Sequence, residues 1–131
     1  MNTWQQDVLD FHKKFDCKVG DFPSDSFADA DIMDLRFNLI QEEFDELAAA
    51  HDLEDFPEFI DAIADSIYVL LGTCVSLGVD LEPIWKEVHK TNMAKAPGNS
   101  RKDGKILKPE DWTPPDIKPL LKKQGWEETN K

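Results

Sequence analysis

Glu42, Glu43 and Glu46 lie within one stretch of helical periodicity, and Asp61 and Asp65 lie one helical turn apart in the next. At about 100° per residue, Ile32, Met33, Leu35, Leu39, Ile40, Phe44 and Leu47 spread over half of a helical wheel. Glu43 falls near the middle of that apolar arc, Glu46 falls between Leu35 and Leu39, and Glu42 lies just outside its edge. An ionised carboxylate on a buried face costs several kcal/mol unless it is paired or coordinates a cation. Between residues 19 and 85 the only basic residue is Arg36, so a metal is the cheaper explanation. Asp61 and Asp65 share a face with Tyr68 in a segment otherwise built of Ala, Ile, Val and Leu. Two antiparallel helices would set the glutamates opposite the aspartates. Four converging carboxylates without cysteine or histidine make a hard, all-oxygen site suited to Mg²⁺, with Mn²⁺ as a substitute. An EExxE string alone is also what a solvated helix face looks like; the wheel position and the second acidic pair favour the metal. His12, His51 and His89 have no metal-ligand spacing, which argues against zinc.

The complementary charge lies further on. Lys90, Asn92, Lys95, Lys102 and Lys105 occupy a segment punctuated by Gly and Pro, from which lysines can close over phosphates as point charges. For Lys118, Lys122 and Lys123 a solvated tail is the simpler reading.

Four helices are needed to position these groups. The first spans about Thr3 to Phe15, with Trp4, Val8, Phe11 and Phe15 as its apolar stripe. A loop from Gly20 to Ser26 follows. The second helix spans about Asp31 to His51, and 52–57 connect it to a third, about Glu58 to Leu77. The third presents Phe59, Ile60, Ile63, Ile67, Leu70, Leu71 and Cys74 on its main face and stops at Gly78. Asp80 caps a fourth, with Pro83 in its first turn and its end near Thr91. Beyond Asn92, Pro97, Pro109, Pro114, Pro115 and Pro119 exclude a long helix. Asp103-Gly104 signals a turn or small hairpin, and 118–126 allow a last helical turn or two ending at Gly125. The expectation is an all-α, single-domain bundle over 1–131, with a helical core of about 3–91 and a basic arm of about 92–131.

The net charge of -12 argues against non-specific nucleic-acid binding, which needs lysine and arginine. Its distribution is uneven: residues 1–85 carry a balance of -16 and residues 86–131 one of +4. The longest uncharged stretch, Ser66 to Val79, is too short to span a bilayer, and the N-terminal sequence has no signal-peptide pattern. Cys17 and Cys74 sit in unlike contexts, so a reduced cytoplasmic protein is expected.

The chain resembles the MazG-like all-α NTP pyrophosphohydrolases, in the branch related to phosphoribosyl-ATP pyrophosphohydrolase. The resemblance runs from about Arg36 to Asp116. It rests on Glu42, Glu43 and Glu46, on DAIADSIYVLLG at 61–72 and on VHKTNMAK at 88–95, with DGKILK (103–108) and WTPPDI (112–117) in support. It implies a homodimer or homotetramer in which Mg²⁺ binds at the acidic cluster and water attacks a phosphate, so that a (d)NTP yields the monophosphate and pyrophosphate in nucleotide-pool house-cleaning or remodelling. By position, Glu43 and Glu46 match the principal ligands of the first motif, with Glu42 beside them as ligand or base, and Asp65 matches the aspartate of the second. The common second motif reads ExxD, but Ala62 stands three residues before Asp65; Asp61, offset by one position, is the nearest substitute. Lys90, Asn92 and Lys95 match the basic loop of the branch. Trp4, Phe11, Asn38 and Tyr68 offer a stacking surface or an amide for a nucleobase. Two other readings stand beside this one: an enzyme acting on phosphoribosyl-ATP, and a non-catalytic acidic helical interaction protein.

Overall fold

The structure is a computed structural model that describes residues 1–24, 30–95, 98 and 100–128. Ser26, at the far end of the expected loop, and Pro97 lie outside the described residues. Among the described residues five helices follow one another: α1 (Thr3–Lys14), α2 (Ala30–Asp52), α3 (Phe56–Leu77), α4 (Leu81–Met93) and α5 (Lys118–Lys123). Among the described residues there is no strand; a single antiparallel bridge, Ser100 to Ile106, closes a small hairpin around Asp103-Gly104.

Local chemistry sets the helix ends. The Asn2 side chain accepts from the Gln5 N–H at 2.9 Å and starts α1. Helix α3 begins two residues earlier than the sequence expectation. The reason is that Asp55 accepts from the Glu58 N–H at 3.2 Å, and Pro57 fits a first turn whose N–H groups have no helical partner. At the other end Gly78 takes a left-handed conformation (φ 73°), and its N–H closes onto the last carbonyls of α3. Asp80 then caps α4 through the Glu82 N–H, at 3.2 Å.

Helix α3 is the central element, with α2 antiparallel along one side and α1 along another. It is also the one described helix long and apolar enough to cross a bilayer; here it is packed by two helices and carries Glu58, Asp61 and Asp65. Val8, Leu71 and Val75 form the small fully buried core, with Leu9, Val19 and Leu81 against it.

The expected faces are only partly the observed ones. On α1, Val8 is buried but Trp4 and Phe11 are exposed, as is Phe15 just past the helix end, and the buried positions beside Val8 belong to Gln5 and His12. On α3, Ile60, Ile63, Ile67 and Leu70 are exposed, whereas Ala62, Leu71, Gly72, Val75 and Ser76 are buried. Leu35 and Phe44 on α2 are likewise exposed. Close approach of helices selects small residues, and among the described residues the bulky side chains are left open to solvent.

Several polar side chains in or beside the interior bond to distant segments. Gln5 donates to the Val79 carbonyl (2.7 Å) and accepts from the Leu81 N–H (3.0 Å). Gln124 takes both backbone groups of Asp80, at 2.8 Å each. The Lys18 carbonyl accepts from Ser76 Oγ (3.0 Å) and lies 3.0 Å from His12 Nδ1.

His12 is only 3% exposed, and burial, aided by the nearby Arg36 charge, pushes its pKa below the ordinary imidazole value although the Lys18 carbonyl opposes this. The unfolded chain therefore takes up this proton at higher pH than the folded one. Its contribution to stability is complete above the unfolded value of about 6.5 and is lost as pH falls towards the lowered folded value. Between about pH 7.5 and 5.5 the thermal midpoint of the native protein should lose ground on acidification relative to that of His12→Gln, the carboxylates being common to both; parallel profiles for the two proteins would contradict this.

Candidate metal and phosphate site

The α2–α3 hairpin brings Glu43, Glu46 and Asp65 together: one carboxylate oxygen of each lies within 4.8 Å of the others. Glu43 and Glu46 are neighbours on one face of α2, and Asp65 faces them from α3. Glu43 and Asp65 are half-buried and Glu46 is exposed. Glu43 Oε2 is buried and has no hydrogen-bond partner. Burial, then the neighbouring Glu46, Asp65 and Glu42, raise the Glu43 pKa; burial, then Asp61 and Glu46, raise that of Asp65. Among the described residues no lysine or arginine pairs with this cluster. Asp61 is exposed beside Asp65 and outside the three-carboxylate set; Glu42 is exposed beside Glu43.

Like charges this close repel by an amount that depends strongly on how much water screens them, and a buried acceptor without a donor costs about 1–3 kcal/mol. A divalent cation removes both penalties. The donor set is all oxygen, so the residues present fit Mg²⁺ or Mn²⁺ rather than a softer ion.

Tyr68 lies one turn from Asp65 on α3, half open to solvent. Phe11 meets it edge-on, with ring centroids 5.6 Å apart, and Phe11 in turn packs against Phe15. Trp4 is exposed towards the opposite end of α1, beside Gln5, which bonds to the α3–α4 turn. Asn38 is exposed on α2 and lines a shallow cavity of about 490 Å³ with Ala30, Met33, Asp34 and Phe37.

The basic arm folds back on the end of α4. Trp112 donates its indole N–H to the Thr91 carbonyl at 2.6 Å. The Lys95 and Lys108 ammonium groups stand 5.5 and 5.3 Å from the centre of the Trp112 ring, within the range of cation–π attraction. Lys90 and Asn92 are exposed on the last turn of α4, and Lys102 and Lys105 flank the Asp103-Gly104 turn. There Asp103 is held by Arg101 and accepts from the Lys105 N–H. These lysines and the three carboxylates are thus on separate parts of one chain, with no ion pair joining them among the described residues. The Trp112 anchor and the burial of Arg36 were not read from the sequence. WTPPDI offered a signal for the first, an aromatic residue isolated in a proline-rich segment.

The sequence model of one family, phosphoribosyl-ATP pyrophosphohydrolase, matches residues 8–92. The matched region contains all five acidic positions, Lys90 and Asn92, and stops short of Lys95, Lys102, Lys105 and Trp112. No curated protein matches the chain.

Proposed function

Because the chain belongs to the phosphoribosyl-ATP pyrophosphohydrolase family, we propose that it hydrolyses a nucleoside triphosphate, (d)NTP to (d)NMP and pyrophosphate, with Mg²⁺ held by Glu43, Glu46 and Asp65. Membership carries a pyrophosphohydrolase-type activity; the nucleotide and the ion are our reading. The observation that carries it is the buried, unpartnered Glu43 oxygen within a cluster of three carboxylates. When bound, a divalent ion supplies charge neutralisation for phosphate oxygens and acidifies water. Glu42, outside the three-carboxylate set and in solvent, is available to take a proton from the attacking water. Lys90, Asn92, Lys95, Lys102 and Lys105 bind the triphosphate and oppose charge on the departing pyrophosphate. Tyr68, with Phe11 against it, is the better placed stacking surface for a base; Asn38 serves as its polar partner.

The enzyme works as a homodimer or homotetramer in the cytoplasm. The support for assembly is the set of bulky apolar side chains that one chain leaves bare, among them Phe37 (66% exposed), Ile60 (50%) and Trp85 (67%). Nucleotide-pool house-cleaning or remodelling is the role that goes with this chemistry.

A panel of NTPs, dNTPs and phosphoribosyl-ATP with Mg²⁺ tests the reading by its products. The expected products are a monophosphate and pyrophosphate; a nucleoside diphosphate as the main product would contradict it. Hydrolysis of phosphoribosyl-ATP alone would select the second reading, which the family match favours. No turnover with or without metal would leave an acidic interaction protein.

Lys95→Ala tests the arm. A point charge on the triphosphate acts on ground and transition states alike, so its loss raises KM more than it lowers kcat. One screened charge contact corresponds to a rise of roughly five- to thirty-fold, shrinking at high salt. An unchanged KM in both Lys95→Ala and Lys90→Ala would make the arm a solvated tail.

A further inference from the structure

Arg36 is a buried cation to which the described residues offer no paired carboxylate. It is 7% exposed on α2, and its guanidinium reaches across to α3, where Nη2 donates to the Val69 carbonyl at 2.8 Å and Nε to Thr73 Oγ1 at 3.2 Å. No acidic group pairs with it among the described residues. A buried charge held only by neutral groups is costly to keep, so its location calls for a reason. The helix beneath has been shaped to admit it. Gly72 stands in the interior of α3, where glycine is a poor helix former; a Cβ there would lie 2.5 Å from Arg36 Nη2 and 2.9 Å from His12 Nε2.

The position of this tie along the hairpin is informative. Glu43 is seven residues beyond Arg36 on α2, two turns or about 10 Å along the axis. Asp65 is four residues before Val69 and eight before Thr73 on α3. Because the helices run antiparallel, both steps lead to the same level. Apolar faces of α2 and α3 can slide past one another at small cost, and a slip of one residue moves a side chain by about 1.5 Å and turns it by about 100°. That is enough to separate Glu43 from Asp65. A guanidinium bonded at two points on the opposite helix has fixed donor directions and tolerates no such slip.

We infer that Arg36 is a positioning residue for the acidic site: seated over Gly72 and bonded to Val69 and Thr73, it sets the α2–α3 register that brings Glu43 and Glu46 to Asp65. The inference rests on the metal-site reading for its functional meaning, but the register itself can be measured without metal. Loss of an outer group that orients metal ligands weakens binding by about 10–100-fold, and this is the size of effect expected here.

Three variants of the full chain test it: Arg36→Met, which removes the tie; Gly72→Ala, which displaces the guanidinium but keeps its charge and favours helix; and Thr73→Val, which removes one acceptor. The readouts are Mn²⁺ binding by calorimetry, the thermal midpoint without metal, and a metal-free crystal structure of Gly72→Ala. Mn²⁺ affinity should fall about tenfold in Arg36→Met and Gly72→Ala and about threefold in Thr73→Val. In Gly72→Ala the gain in helix propensity opposes displacement of the Arg36 and His12 side chains, so the midpoint should move little while Mn²⁺ affinity falls about tenfold. In its crystal structure the Glu43 and Asp65 oxygens should no longer fall within the 4.8 Å of the native cluster. An unchanged register there would overturn the inference. A loss of Mn²⁺ affinity confined to Arg36→Met would also overturn it, because displacing the guanidinium from its tie in Gly72→Ala would then have left the site intact. If the native protein binds no Mn²⁺, the metal reading fails alone, and the crystal structure still decides the register.

Discussion

Glu43→Gln should cost at least about a hundredfold in turnover, since even outer groups around a metal cost about 10–100-fold. Asp65→Asn should do the same, and Asp61→Asn should do less because Asp61 lies outside the three-carboxylate set. Retention of more than about a tenth of the activity in both Glu43→Gln and Asp65→Asn would remove these residues from direct metal contact. The same variant makes an opposite prediction for stability. Burial and neighbouring carboxylates raise the Glu43 pKa, so this group stabilises the fold when protonated. That contribution is present below the unfolded carboxylate value and is lost as pH rises through the raised folded value. Glutamine imitates the protonated form at every pH. Without metal, Glu43→Gln should therefore melt above the native protein near neutral pH, with the gap closing towards about pH 4. Added Mg²⁺ should stabilise the native protein and not the variant. Calorimetric melts with and without chelator check both signs.

If the exposed apolar faces close the proposed assembly, Phe37→Glu and Ile60→Glu should each raise its dissociation constant by two orders of magnitude or more. Burying a large apolar side chain contributes about 1.5–3 kcal/mol, and a twofold interface contains each residue twice. A pair of such losses thus amounts to about 3–6 kcal/mol, or roughly 10²–10⁴ in affinity. Both side chains are at least half exposed in the single chain, so the helices should survive the change. Sedimentation over a concentration series would read this directly. A native protein that remains monomeric at tens of micromolar, as an order of magnitude for a weak dimer, would contradict it.

Helix positions were legible in the sequence because caps and stop signals are local: Asp80 and Gly78 announce their roles within a few residues. The juxtaposition of Glu43, Glu46 and Asp65 was legible as far as two periodic faces and a short connection allow. Burial was not. Periodicity marks which faces are apolar but not what will cover them, so Ile60, Ile63 and Ile67 read as core although they are exposed in the single chain. The polar interior was hidden for another reason. Gln5, His12 and Arg36 find their partners on α3, on the α3–α4 turn or at Lys18, and nothing within one helix reveals such a pairing. Arg36 stood out as the sole basic residue of a long acidic stretch; its use required the alignment of two helices.

The two glutamines that bond to the α3–α4 turn, Gln5 of α1 and Gln124 after α5, also bear on the order in which the chain acquires its structure. The α2–α3 hairpin joins residues adjacent in sequence and can close early, whereas Gln5 and Gln124 reach Val79, Asp80 and Leu81 across separations of 74 to 76 and 44 residues. Contacts of such separation carry the larger loop-closure cost and slow folding. The amides of Asp80 and Leu81, both donated to these side chains, should therefore gain exchange protection after those of the hairpin in a pulse-labelling experiment. A growing chain would not complete this turn until Gln124 had left the ribosome, so the start of α4 is finished well after the hairpin that precedes it.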